Sequence, residues 1–178
     1  MRGRDVGKRI ALAAVGAAIS LAFITLSFFV KFLTISFVVL SAVGVLLPLA
    51  KRYYREAILA SVVVTVAGFF IVRLSIIPFA AASGFYVVFA VFWKEKGWNR
   101  LLGYAVKFAY SCLLFFVLYK VTALLFVDVT KLSFLESLPD AALYIVLNAV
   151  FSICFLVYDY LLEIGYAYLK KWVDRIVK

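Results

Sequence analysis

Apolar residues in this chain come in long unbroken runs, separated by short clusters of charge. The runs predict spans at about 10–30, 33–50, 57–72, 78–93, 101–127 and 140–169, most of them near the roughly 20 residues a helix needs to cross a bilayer. A transmembrane barrel would instead alternate apolar and polar positions in segments of about ten residues. Helices are therefore expected throughout. The first run follows Arg2, Arg4, Lys8 and Arg9 and exceeds the usual 7–15-residue core of a signal peptide, so it reads as an uncleaved span. Lys31 interrupts the first two runs, and Lys51 to Glu56 close the second. Lys94 to Arg100 close the fourth, and a polar loop from Asp128 to Pro139 precedes the last. Asp140 is placed to cap that last run, its carboxylate accepting from free amides, and Lys170 to Lys178 read as a basic tail.

Composition turns this pattern into a class. Of 178 residues, 67% are hydrophobic and 16% charged, and mean hydropathy is +1.12. A soluble domain runs at about 45–50% apolar and about 25% charged, and cannot hide two-thirds of its side chains. The expectation is an all-α polytopic membrane protein: one transmembrane domain over 1–178, built as a six-helix bundle. Histidine is absent, which removes Ser-His-Asp and Cys-His nucleophilic sites and His-ligated metals. Cys112 and Cys154 lie inside apolar runs and form no CxxC, so they read as packing residues. No cofactor and no metal are implied.

The net charge of +10 gains meaning from its distribution. With the N-terminus inside and the chain alternating, fourteen of the nineteen basic residues fall on cytoplasmic segments. Lys31, Arg73, Lys120 and Lys131 fall outside, and Lys107 lies within the fifth span. That bias predicts both termini in the cytoplasm of a plasma-membrane protein. It assigns the basic residues to topology and anionic lipid rather than nucleic acid. Trp93, Trp98 and Trp172 fall at the cytoplasmic boundaries, where aromatic belts form. The two halves show no repeat of the kind that inverted-repeat transporters carry.

Three groups of residues carry candidate chemistry. In the first span Ala14, Ala18 and Ala22 lie four apart on one face, which Ala13 and Ala17 widen. Small side chains let a second backbone approach closely in lipid, either within the bundle or on a partner. Lys107 and Asp159 are charges inside spans, costly unless paired or wet. Their predicted depths differ by about 6 Å at 1.5 Å per residue, so they are candidates for a structural ion pair. On the outer side Lys31, Thr34, Arg73, Tyr86, Tyr119 and Asn148 stand among aromatics as a candidate small-ligand site; snorkelling is the ordinary alternative for its cations. Ser83-Gly84 reads as a helix-packing point.

Six spans in a chain of this length, with both termini inside, carry further marks. These are the Ala-x-x-x-Ala pattern at Ala13/Ala17 and Ala14/Ala18, a short first loop from Lys31 to Ser36, and the Pro48-to-Glu56 turn. Together they resemble the substrate-binding S components of energy-coupling factor (ECF) transporters. The last segment, with Val157-Tyr158-Asp159-Tyr160, is similar to uncharacterised small membrane proteins rather than to a vitamin-specific subfamily. The resemblance implies that the alanine face docks on a transmembrane coupling subunit driven by two cytoplasmic ATPases. It also implies that the first loop acts as a lid, with substrate held there and by the outer halves of spans four to six.

The function expected is thus a non-enzymatic, small-molecule-binding subunit of an ECF-type ABC importer for an organic nutrient. The chain has no P-loop of its own. The alternative is a structural or assembly protein that binds another membrane complex or anionic lipid. An enclosed polar and aromatic cavity on the outer side separates the two.

Overall fold

The computed structural model describes residues 2–97, 99–124 and 140–176. The loop 128–139, the end of the fifth predicted span, Trp98, Lys131, Lys178 and the side chains of Arg2, Arg4, Thr122 and Asp140 lie outside the described residues. Among those described, helix is nearly continuous and no strand occurs. Among the described residues six α-helices follow in order: α1 (Arg2–Phe29), α2 (Thr34–Ala50), α3 (Tyr54–Val72), α4 (Tyr86–Lys96), α5 (Arg100–Leu124) and α6 (Asp140–Ile176). Val6–Phe29, Lys31–Ala50, Tyr54–Ile76, Leu101–Lys120 and Ala141–Arg175 are each long and apolar enough to cross a membrane. Large apolar side chains stand exposed along them, Phe70 at 81% for example, as a lipid-facing surface requires.

Three features depart from the sequence pattern. Between α1 and α2 there is a single 3₁₀ turn, Lys31–Leu33, where a loop to Ser36 was expected. Thr34 closes the turn by donating to the carbonyls of Lys31 at 2.8 Å and Ser27 at 3.2 Å. The fourth predicted span, 78–93, starts as a π-helix over Phe79–Phe85 and becomes α-helical only at Tyr86. The expected basic tail is the end of α6, which runs unbroken for 37 residues. At 1.5 Å per residue that is about 55 Å, well beyond a hydrocarbon core of about 30 Å.

The chain divides into two compact units, with the boundary inside α6 between Asp159 and Tyr160. The first holds α1 to α4 and the end of α6. Its centre is the crossing of α1 on α2, where Gly16 meets Gly44: a methyl on either would strike the other's carbonyl oxygen. Close approach of this kind replaces the hydrophobic drive that lipid removes. Ser20 donates to the Ser41 carbonyl at 2.8 Å, and Ser83 from the π-helix donates to the Val38 carbonyl at 2.7 Å. Each serine is almost fully buried, and each hydroxyl spends its proton on a backbone oxygen, as buried polar groups require.

The turns follow from local chemistry. Pro48 stands in the last turn of α2, where its ring disfavours continuation beyond it. The amides of Arg52 and Tyr53 fold back to the carbonyls of Leu49 and Pro48 at 2.8 and 3.1 Å. Gly97 ends α4 at φ 65°, a left-handed conformation that costs glycine little. The second unit is α5 with the start of α6. Rings of Phe115, Tyr119, Tyr144 and Phe151 join the two helices, with centroids 5.3–6.0 Å apart.

Candidate functional site

Charge gathers at one end of the first unit. Glu95, at the end of α4, accepts from Lys170 at 2.8 Å and from the Tyr166 hydroxyl at 2.9 Å, and pairs with Arg52. Lys51 bridges to Asp174 at 2.8 Å, Lys94 to Glu163 at 3.0 Å and Arg9 to Glu56 at 4.0 Å. These bonds bring the start of α1, the α2–α3 turn, the end of α4 and the end of α6 to the same end. The Lys170 hydrogen bond holds the Glu95 carboxyl below the ordinary glutamate range. Burial opposes that shift, while Tyr166 and the Arg52 charge reinforce it. Glu95 was no sequence candidate. The usable signal was that the carboxylates Glu56, Glu95, Glu163 and Asp174 sit within otherwise basic stretches.

In the second unit the structure brings Lys107 and Asp159 together, Nζ to Oδ2 at 2.5 Å, with side chains 9% and 6% exposed. The Lys107 ammonium also stands 5.9 Å from the Tyr104 ring centroid. One turn further along α5, Ser111 donates to Ser152 of α6 at 3.0 Å, and Ser152 to the Asn148 carbonyl oxygen at 3.4 Å. A short polar track thus runs between two otherwise apolar helices. Asn148 belongs to it, and Tyr119 belongs to the aromatic cluster beside it.

The other predicted ligand residues lie in the first unit, and none of them lines the two clefts described there. Lys31 and Arg73 are exposed, the Thr34 hydroxyl is committed to the turn, and Tyr86 is 1% exposed inside the core. Arg73 adopts φ 53° where α3 gives way to a 3₁₀ turn. The alanines of α1 separate by face. Ala14, Ala18 and Ala22 are exposed, Ala13 and Ala17 are half-buried, and Gly16, Ser20, Ile24 and Ser27 form the buried face. Among the described residues, no three His, Cys, Asp or Glu side chains gather as a metal ligand set would.

A cleft of about 540 Å³ lies between α1, α2 and the end of α6. Leu47 and Val173 are its buried floor, with Leu12, Ile19 and Leu169 packed against them. Lys8, Ala11, Val15 and Trp172 complete its lining. Sequence reading missed it because it depends on how three helices splay. The chain matches no family model, no curated protein and no solved structure.

Proposed function

We propose that the chain is a non-enzymatic plasma-membrane subunit that works docked to a larger membrane complex through α1. The observation that carries this reading is the division of labour on α1. Gly16 and Ser20 serve packing within the unit, while the Ala14–Ala18–Ala22 ridge is left exposed. In lipid, such a ridge gains free energy when another helix backbone lies against it. Six spans and cytoplasmic termini belong to this proposal. The helical run 78–93, π-helical over Phe79–Phe85 and α-helical from Tyr86, supplies the fourth crossing. The end that gathers Lys51, Arg52, Lys94 and Lys170 faces the cytoplasm, as the positive-inside bias expects.

The role in that complex is the one the S-component resemblance implies: capture of a small organic nutrient for an importer whose coupling subunit and ATPases are separate chains. The exposed ridge is where such a coupling subunit would dock. A second reading, a structural or assembly subunit without transport, is favoured by the exposure of Lys31 and Arg73 and the burial of Tyr86. Tagged purification from native membranes in mild detergent, read by mass spectrometry, tests both. A coupling subunit, ATPases and a stoichiometric metabolite support import, whereas an unrelated membrane complex without a metabolite supports assembly. In either case Ala14→Trp with Ala18→Trp should release the partner, and retention of the partner overturns docking through α1.

A further inference from the structure

We propose that the cleft between α1, α2 and α6 is a groove for one acyl chain of an anionic phospholipid in the leaflet on the basic side. This rests on the membrane reading of the helices but not on any protein partner. Along α1 the groove extends from Lys8 to Ile19, about 16 Å at helical rise. Half of a hydrocarbon core of about 30 Å is nearly the same length, so the groove spans one leaflet and stops near the midplane. Its floor and walls are leucine, isoleucine and valine, which offer a chain dispersion contacts and no polar partner.

The mouth supplies the headgroup chemistry. Lys8 is the charged residue of the lining among the described residues, and Trp172, 57% exposed, lines the same groove. That pairing suits the interfacial level, where an indole and an ammonium both find partners. Among the described side chains, the surrounding end holds ten lysines and arginines against four carboxylates, and those four carboxylates are held in ion pairs. The remaining positive field favours a lipid with net negative charge over a zwitterionic one. A partner helix would leave this excess unanswered unless it carried acidic residues at the same level.

The test uses the full chain in nanodiscs with Trp93→Phe and Trp98→Phe, so that Trp172 is the only tryptophan of the three. Phosphatidylglycerol or phosphatidylcholine brominated on the acyl chain is titrated into a phosphatidylcholine background, and quenching is read. Brominated phosphatidylglycerol is expected to quench at the lower mole fraction. Lys8→Ala should reduce that preference about fivefold, the worth of one basic residue beside an anionic surface, and Lys8→Arg should keep it. Ala11→Phe with Val15→Phe, both at exposed lining positions, should fill the groove and make the two lipids equal. Equal quenching in the parent protein overturns the proposal, as does a preference that survives the filled groove or the loss of Lys8. If the filled groove instead releases a co-purifying protein while lipid preference is absent, the groove belongs to that protein. A parent that shows the lipid preference yet purifies without any partner would sink docking through α1 and leave the lipid site standing.

Discussion

At Lys107 and Asp159 an ion pair offsets the cost of two buried charges. Each alone inside apolar helices would carry the full penalty of leaving water, and together they offset it. Lys107→Ala or Asp159→Ala strands the other charge, and each should lower stability by about 3–5 kcal/mol. Lys107→Leu with Asp159→Leu should recover most of that loss, because no charge is left to desolvate. Detergent-solubilised unfolding of the two singles and the double decides it, and singles that unfold like the parent would contradict a structural pair. Glu95 behaves differently, because its carboxyl is held low by the Lys170 hydrogen bond. A depressed acid contributes stability above its unfolded pKa, about 4.3, and loses it as pH falls through the folded value. Melting temperature should therefore hold from neutral pH to about 5 and fall below about 4. Glu95→Gln should flatten part of that acid limb, and an unchanged limb would assign the pH dependence elsewhere.

For whole helices, α1 shows what the sequence made legible. Its alanine content announced close helix packing, but nearly every face of residues 11–22 carries a small side chain, so composition does not choose among them. The choice is made by Gly44 of α2, which admits Gly16 and nothing larger. Gly44→Ala should cost about 1–3 kcal/mol by overpacking, while Ala18→Leu on the exposed ridge should stay within about 0.5 kcal/mol. Thermal melts of the two variants in the same detergent separate the packing face from the docking face. The other departures have equally local causes. Hydropathy read 78–93 as an apolar run but does not register whether amides reach back four residues or five, which is what makes Phe79–Phe85 a π-helix. It also stopped at Leu169 because Lys170 and Lys171 are polar. The helix continues because Lys170 reaches Glu95 and Asp174 reaches Lys51, contacts made far along the sequence. Lys107 and Asp159, expected at nearly the same depth, are in contact, as a charge in a span must find a partner at its own level.

Across the whole molecule, the deciding property is which side of the membrane holds the basic end. The ion pairs fix that Lys51, Lys94 and Lys170 share an end with Arg9. Residues 73–76 close the far end of α3, about 27 Å along its axis. Cysteine labelling on intact cells reads the sidedness. The native Cys112 and Cys154 are first replaced by serine, since both are free thiols. Ser75→Cys, exposed in the turn after α3, and Lys171→Cys, exposed near the end of α6, are then introduced separately. A membrane-impermeant maleimide should label Ser75→Cys on intact cells and Lys171→Cys only after permeabilisation, because an excess of basic residues is retained on the cytoplasmic side during insertion. That pattern puts Lys31 and Arg73 where an imported solute arrives and puts the lipid groove in the cytoplasmic leaflet, the one richer in anionic lipid. The reversed pattern would remove the basis for nutrient capture at Lys31 and Arg73. It would also turn the groove toward a leaflet with less to bind, so one labelling experiment bears on both proposals at once.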